Sequence, residues 1–182
     1  MKRIITKVLA LSIIVLMLSG CGDDSSPIQK TPEKIMDMVG KDMDGNDVRI
    51  GDYIAPNKVT LINYWGTTCK PCVEEMPILD SYLQKYGDQG FYVIGFCNDV
   101  LDSDNSIEES QYADCEKIIA DTGITYPIIL TTDELNKFVD SSATPVSFFM
   151  DQSGKLIGDP IFGAKSEEQW DEIISEKLSG VK

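Results

Sequence analysis

The sequence predicts an α/β domain: a central mixed β-sheet flanked by helices, extended at its N-terminal side by a β-hairpin. Two β-branched and aromatic runs, VTLINYW at 59–65 and FYVIGFC at 91–97, suit strands buried on both faces. One segment of helical spacing lies between them, and a crossover of that length makes the two strands parallel with the helix on one face. Downstream, ATPVSFFMDQSGKLIGDPIFGA reads as two strands joined at Gln152–Gly154, an antiparallel hairpin that makes the sheet mixed.

The chain begins with Met1, Lys2, Arg3 and Lys7, then runs apolar from Val8 to Leu18, broken by Ser12, and reaches LSGC at 18–21. A charged start, an apolar stretch of this length and small residues before a cut site have the features of a secretory signal peptide. The stretch is too short for a comfortable membrane span. LSGC resembles the lipobox of bacterial lipoproteins, in which the cysteine is lipidated and becomes the mature N-terminus. The expected division is a signal peptide at 1–20, lipidated Cys21 with a polar tether to residue 32, and one folded domain at 33–182. An ordinary signal peptide, or an uncleaved one, would leave Cys21 incidental. The expected location is the extracytoplasmic face of a bacterial membrane.

Charge narrows the partners. With 30 acidic against 16 basic residues the net charge is -14, which excludes nucleic-acid binding and adhesion to anionic lipid by charge. Membrane attachment then rests on the acyl chains, each buried methylene contributing about 0.8 kcal/mol.

Taken in order, the first folded element is a hairpin around Asp44-Gly45, a dipeptide suited to a tight turn. A calcium loop of the EF-hand kind counted from Asp42 would need glutamate where Tyr53 stands, so the turn is the better reading. After the first buried strand, Met76, Leu79, Leu83 and Tyr86 mark a helix over 72–86, closed by Gly87. Ser106 and Glu109 form a capping-box pattern, predicting a helix from Ser106 to about Thr122 ended by Gly123. YPIIL at 126–130 is a short strand, and a helical turn over about 132–139 leads to the C-terminal hairpin. SEEQWDEIISEKL then closes the chain as an amphipathic helix with Ser166 and Gln169 as a second capping box.

The chemistry lies in YWGTTCKPCVEEMP at 64–77. Cys69 falls between a strand and a helix, with Pro71 in the first helical turn, where a missing N–H is harmless. A helix N-terminus carries unpaired N–H groups and partial positive charge, which stabilise a thiolate; Lys70 adds charge nearby. Cys69 is therefore the expected nucleophile and Cys72, one turn on and facing inward, the resolving thiol. A pair three apart at a helix start suits exchange better than stapling. Structural zinc needs four ligands, and the chain has no histidine, so no metal is expected.

Trp65, Cys69, Cys72, Glu75 and Pro77, together with Thr144-Pro145 and the hairpin after it, resemble the thioredoxin superfamily, and within it the TlpA-type, ResA-like membrane-anchored thiol-disulfide oxidoreductases. The resemblance covers roughly 33–180. It implies a thioredoxin-like fold, no cofactor, reduction of protein disulfides and a membrane thiol carrier that returns electrons; apocytochrome c is one substrate such proteins serve. It further implies that Pro77 kinks the active-site helix and that Pro145 is cis, presenting the Thr144 backbone to an incoming chain. Trp65, Thr68, Lys70 and Pro71 complete the expected substrate-facing set. Glu75 lies three residues from Cys72 on one helix face, and the resemblance favours a proton relay there over a solvated charge beside Glu74.

Three departures stand out. Thr68 occupies a position usually held by Trp, and Asn63 one where cytoplasmic thioredoxins carry a buried aspartate. Cys97 and Cys115 add a second thiol pair with three readings: reduced core residues, a structural disulfide, or a second redox couple. Two other functions compete. A peroxiredoxin-like peroxidase would have Pro and Thr where Asn63 and Gly66 stand, and a non-catalytic thioredoxin-fold binding module would carry an inert disulfide.

Overall fold

The computed structural model describes residues 32–181. The proposed signal peptide, Cys21 and all of the tether up to residue 31 lie outside the described residues. The elements are α1 (Pro32–Asp37), β1 (Val39–Lys41), β2 (Asp47–Arg49), α2 (Gly51–Ile54), β3 (Val59–Trp65), α3 (Lys70–Tyr86), β4 (Phe91–Cys97), α4 (Glu109–Thr122), β5 (Ile128–Leu130), α5 (Asp133–Val139), β6 (Val146–Asp151), β7 (Ile161–Phe162) and α6 (Glu167–Gly180). They form one seven-stranded sheet in the order β2-β1-β5-β4-β3-β6-β7. This is the thioredoxin-like α/β fold with the N-terminal hairpin that the sequence predicts.

The centre of the sheet follows from the two apolar runs. β3 and β4 pair in parallel from Val59↔Phe91 to Trp65↔Cys97, and β6 pairs antiparallel to β3 with Val146 opposite Tyr64. Every residue of β3 is buried, so both of its faces need cover. One face packs Leu61, Trp65, Phe91 and Val93 against Met76 and Leu79 of α3 and Trp170 and Ile174 of α6. The other packs Ile62, Ile94, Phe96 and Phe148 against Ile35, Ile54 and Phe138 of α1, α2 and α5. Burying each such side chain contributes roughly 1.5–3 kcal/mol. α3 is further tied to the C-terminal helix where the Tyr82 hydroxyl donates to the Glu167 carbonyl at 2.6 Å.

Local structure departs from expectation in three places. α4 begins at Glu109, not Ser106, because Ser106 is already engaged: its N–H and hydroxyl reach Asp104, and its carbonyl accepts the Asp102 N–H at 3.0 Å. Leu101 and Ile107 bridge across that turn. The N-terminal hairpin turns through 42–46 rather than two residues; the Asp42 carboxylate gathers the N–H groups of Asp44 and Asn46, and Gly45 takes φ +80°, which glycine accepts without strain. The return arm of the C-terminal hairpin is interrupted. Leu156 bridges Met150, and the chain rejoins only as β7 opposite Val146 and Ser147.

The final helix has the capping box expected of it, with Ser166 Oγ accepting the Gln169 N–H at 3.3 Å and Gln169 Oε1 accepting the Ser166 N–H at 3.0 Å. Ser166→Ala removes the side-chain acceptor at an exposed site, and urea unfolding should show a loss of about 1 kcal/mol.

Candidate active site

Strand β3 ends at Trp65, and the chain turns through Gly66, Thr67 and Thr68 into α3. Cys69 is the N-cap of that helix, with extended backbone, and forms a disulfide with Cys72 across a Cα–Cα distance of 5.3 Å. The Cys72 N–H points at Cys69 Sγ, 3.3 Å away. Pro71 sits in the first turn, which contains no acidic residue. Cys69 is partly exposed, whereas Cys72 is fully buried. The two sulfurs are thus unequal: the outer one carries the helix N-terminus and meets solvent, and the inner one faces the core.

The remaining expected site residues divide between surface and interior. Thr68, Lys70 and Pro71 are exposed, and Lys70 Nζ stands 3.6 Å from Glu74, one turn along the helix. The Thr144–Pro145 peptide bond is cis, and because Val146 opposes Tyr64 it lies at the same sheet edge as the end of β3. Trp65 corrects the sequence reading. Its side chain is fully buried against Gly95, where an added Cβ would come within 3.2 Å of its Nε1, so it supports the site from beneath and does not face substrate.

Glu75 is the buried charge of the site. Its Oε1 accepts from Asn63 Nδ2 at 3.1 Å, and its Oε2 from the Lys165 N–H at 3.0 Å and Trp170 Nε1 at 3.1 Å. Asn63 Nδ2 also reaches Ser147 Oγ at 3.0 Å, so one polar node joins β3, α3, β6 and the start of α6. Burial raises the Glu75 pKa above the ordinary glutamate value, and the three donors offset only part of that rise. An open recess of about 150 Å³, lined by Pro71, Glu74, Glu75, Ile78, Ala164 and Lys165, adjoins the carboxylate.

Cys97 and Cys115 are both free and buried, on β4 and α4. Burial first, and then the neighbouring Cys115 and the Asp99 charge, push the Cys97 thiol well up, so it stays protonated. Cys115 Sγ lies 3.9 Å from Met43 Sδ in the N-terminal hairpin loop. Sequence reasoning missed the partners of Glu75 and the role of Asp99, whose carboxylate accepts both the N–H and the hydroxyl of Thr67. An asparagine inside an apolar strand was the one visible signal of the first.

Residues 31–158 match the AhpC/TSA family. The chain belongs to that family. Among relatives, the thiol-disulfide oxidoreductase ResA of Bacillus thuringiensis subsp. konkukian is 29% identical over 136 residues, which is 74% of this chain and 71% of that protein. A thioredoxin-family thiol:disulfide interchange protein of Chlorobium tepidum TLS superposes with TM-score 0.61 at 26% identity, covering 78% of this chain and 92% of its own. A second Chlorobium tepidum structure, of the DsbE type, gives TM-score 0.65 at 20% identity, covering 83% and 99%, a likeness of fold alone.

The raised Glu75 pKa has a thermodynamic sign. Between the unfolded glutamate pKa and the higher folded one, the native state binds more protons, so stability falls as pH rises through the folded pKa. Denaturant unfolding from acid to neutral pH should show that decline in the wild type and a shallower one in Glu75→Gln; equal slopes would contradict the assignment.

Proposed function

We propose that this chain is a lipid-anchored, extracytoplasmic protein-disulfide reductase in which Cys69 is the nucleophile and Cys72 the resolving thiol. Its class, thiol-disulfide oxidoreductase of the ResA type, follows from the CxxC disulfide at the start of α3 together with the relatives named above. The observation that carries the two roles is the inequality of the sulfurs: Cys69 is accessible and receives the helix N–H, while Cys72 has no exposed surface.

In the reducing direction the Cys69 thiolate attacks one sulfur of a substrate disulfide, forming a mixed disulfide and releasing one substrate thiolate. Cys72 then loses its proton and attacks Cys69 Sγ, which frees the second substrate thiolate and leaves the enzyme as the disulfide described here. Glu75 takes the Cys72 proton. It follows Cys72 by one helical turn, its raised pKa makes its carboxylate a better proton acceptor than a solvated glutamate, and the recess beside it opens toward water. Two electrons from a membrane thiol carrier restore the dithiol. Apocytochrome c fits as a substrate through the ResA-like resemblance, and Cys21, once acylated, would hold the domain near such partners.

The peroxidase alternative lacks its motif, since Asn63 and Gly66 occupy the Pro and Thr positions and Asn63 is committed to Glu75. Insulin reduction by the dithiol should be abolished in Cys69→Ser, and Cys72→Ser should accumulate the mixed disulfide; reduction that survives Cys69→Ser would remove the assignment. Fatty-acid labelling in a bacterial host should be lost in Cys21→Ser, and a label that persists would rule out the anchor.

A further inference from the structure

Residues 66–69 form a tight turn in which the Cys69 N–H reaches the Gly66 carbonyl at 3.0 Å. The second residue of that turn, Thr67, directs both of its donors at Asp99, in the loop after β4. Its N–H lies 2.8 and 3.1 Å from the two carboxylate oxygens, and its hydroxyl 2.8 Å from Oδ2. A third donor, the Cys97 thiol, stands 3.5 Å from Oδ1. The same loop presses on Gly66, where an added Cβ would come within 2.8 Å of Asn98 Oδ1 and 3.1 Å of Asp99 Oδ2. The Asn98 N–H in turn meets the Trp65 carbonyl at 3.0 Å, so the loop leaves β4 fastened to the end of β3.

We propose that Asp99 is a positioning residue of the redox site, holding the turn that presents Cys69 and placing its carboxylate against Thr67, two residues before that sulfur. This rests on the reading of Cys69 as nucleophile. Hydrogen bonds to an ionised carboxylate are roughly twice as strong as neutral ones, and here two of them restrain Thr67, two residues before the reacting sulfur. Small displacements of a reacting group are costly in rate. The Asp99 charge also opposes thiolate formation at Cys69, counteracting part of the helix N-terminal effect, and so disfavours the dithiol and makes the pair more reducing. Cys97, kept protonated by its surroundings, serves as the buried donor that fixes the other carboxylate oxygen.

Asp99→Ala and Asp99→Asn test this in the full chain, through the single-turnover rate of insulin reduction and the equilibrium of the Cys69/Cys72 pair with dithiothreitol. Asp99→Ala should slow the reaction about tenfold. Asp99→Asn should recover most of the rate, because an amide oxygen in the place of Oδ2 can accept both Thr67 donors. Both variants should shift the equilibrium toward the enzyme dithiol by about threefold, since both remove the charge. An Asp99→Ala chain as fast as wild type, or an equilibrium unmoved in Asp99→Asn, overturns the proposal. If Asp99→Ala does not fold, the equilibrium of Asp99→Asn decides alone. A wild type whose insulin reduction is insensitive to Cys69→Ser overturns the nucleophile assignment instead, which keeps the two failures apart.

Discussion

Helix α3 starts at a sulfur, that of its N-cap Cys69. With the Cys72 N–H at 3.3 Å from Cys69 Sγ and no acidic side chain in the first turn, the partial positive charge of the helix N-terminus is directed at that atom. Everything around it serves to keep a seventeen-residue helix aimed there. The apolar face of α3 buries Met76 and Leu79 on the sheet, and Thr125 beyond α4 grips Asp80 through its N–H at 2.7 Å and hydroxyl at 2.8 Å. The helix is thus held along its length while the disulfide sits at its end.

Glu75 shows how the same helix accommodates a second ionisable group close to the thiols. Burying a carboxylate is costly unless it is hydrogen-bonded, and three donors from β3, the β7–α6 connection and α6 supply that compensation. The compensation is incomplete, which leaves the carboxyl more easily protonated than an exposed one. A group balanced in this way accepts a proton more readily than a solvated glutamate, and it also ties the active-site helix to the C-terminal helix. One residue therefore links the packing of the domain to the proton transfer proposed for it.

Much of this was legible in the sequence where burial leaves a continuous or periodic trace. VTLINYW and FYVIGFC read as central strands because both faces are covered, and the Ser166–Gln169 box marks a helix start that no neighbouring side chain disputes. The equivalent pattern at Ser106–Glu109 misled because Asp102 and Asp104 capture Ser106 in a turn first. α1 and α2 are too short, at six and four residues, to show a period. Trp65 sits beside the cysteines in sequence yet points into the core, since it still belongs to β3, whose two faces are both covered. Of the partners of Glu75 only Asn63 left a trace; Lys165 and Trp170 lie 90 and 95 residues away, and only the closed fold brings them to it.

The direction of electron flow follows from how far the helix end stabilises a thiolate against the opposing charges near it, and the reduction potential of the Cys69/Cys72 pair measures that balance directly. Equilibration of the domain with a redox buffer of known potential should place it near -270 mV, in the range of thioredoxin. A value near -120 mV, typical of a strong oxidant, would contradict the reductive role.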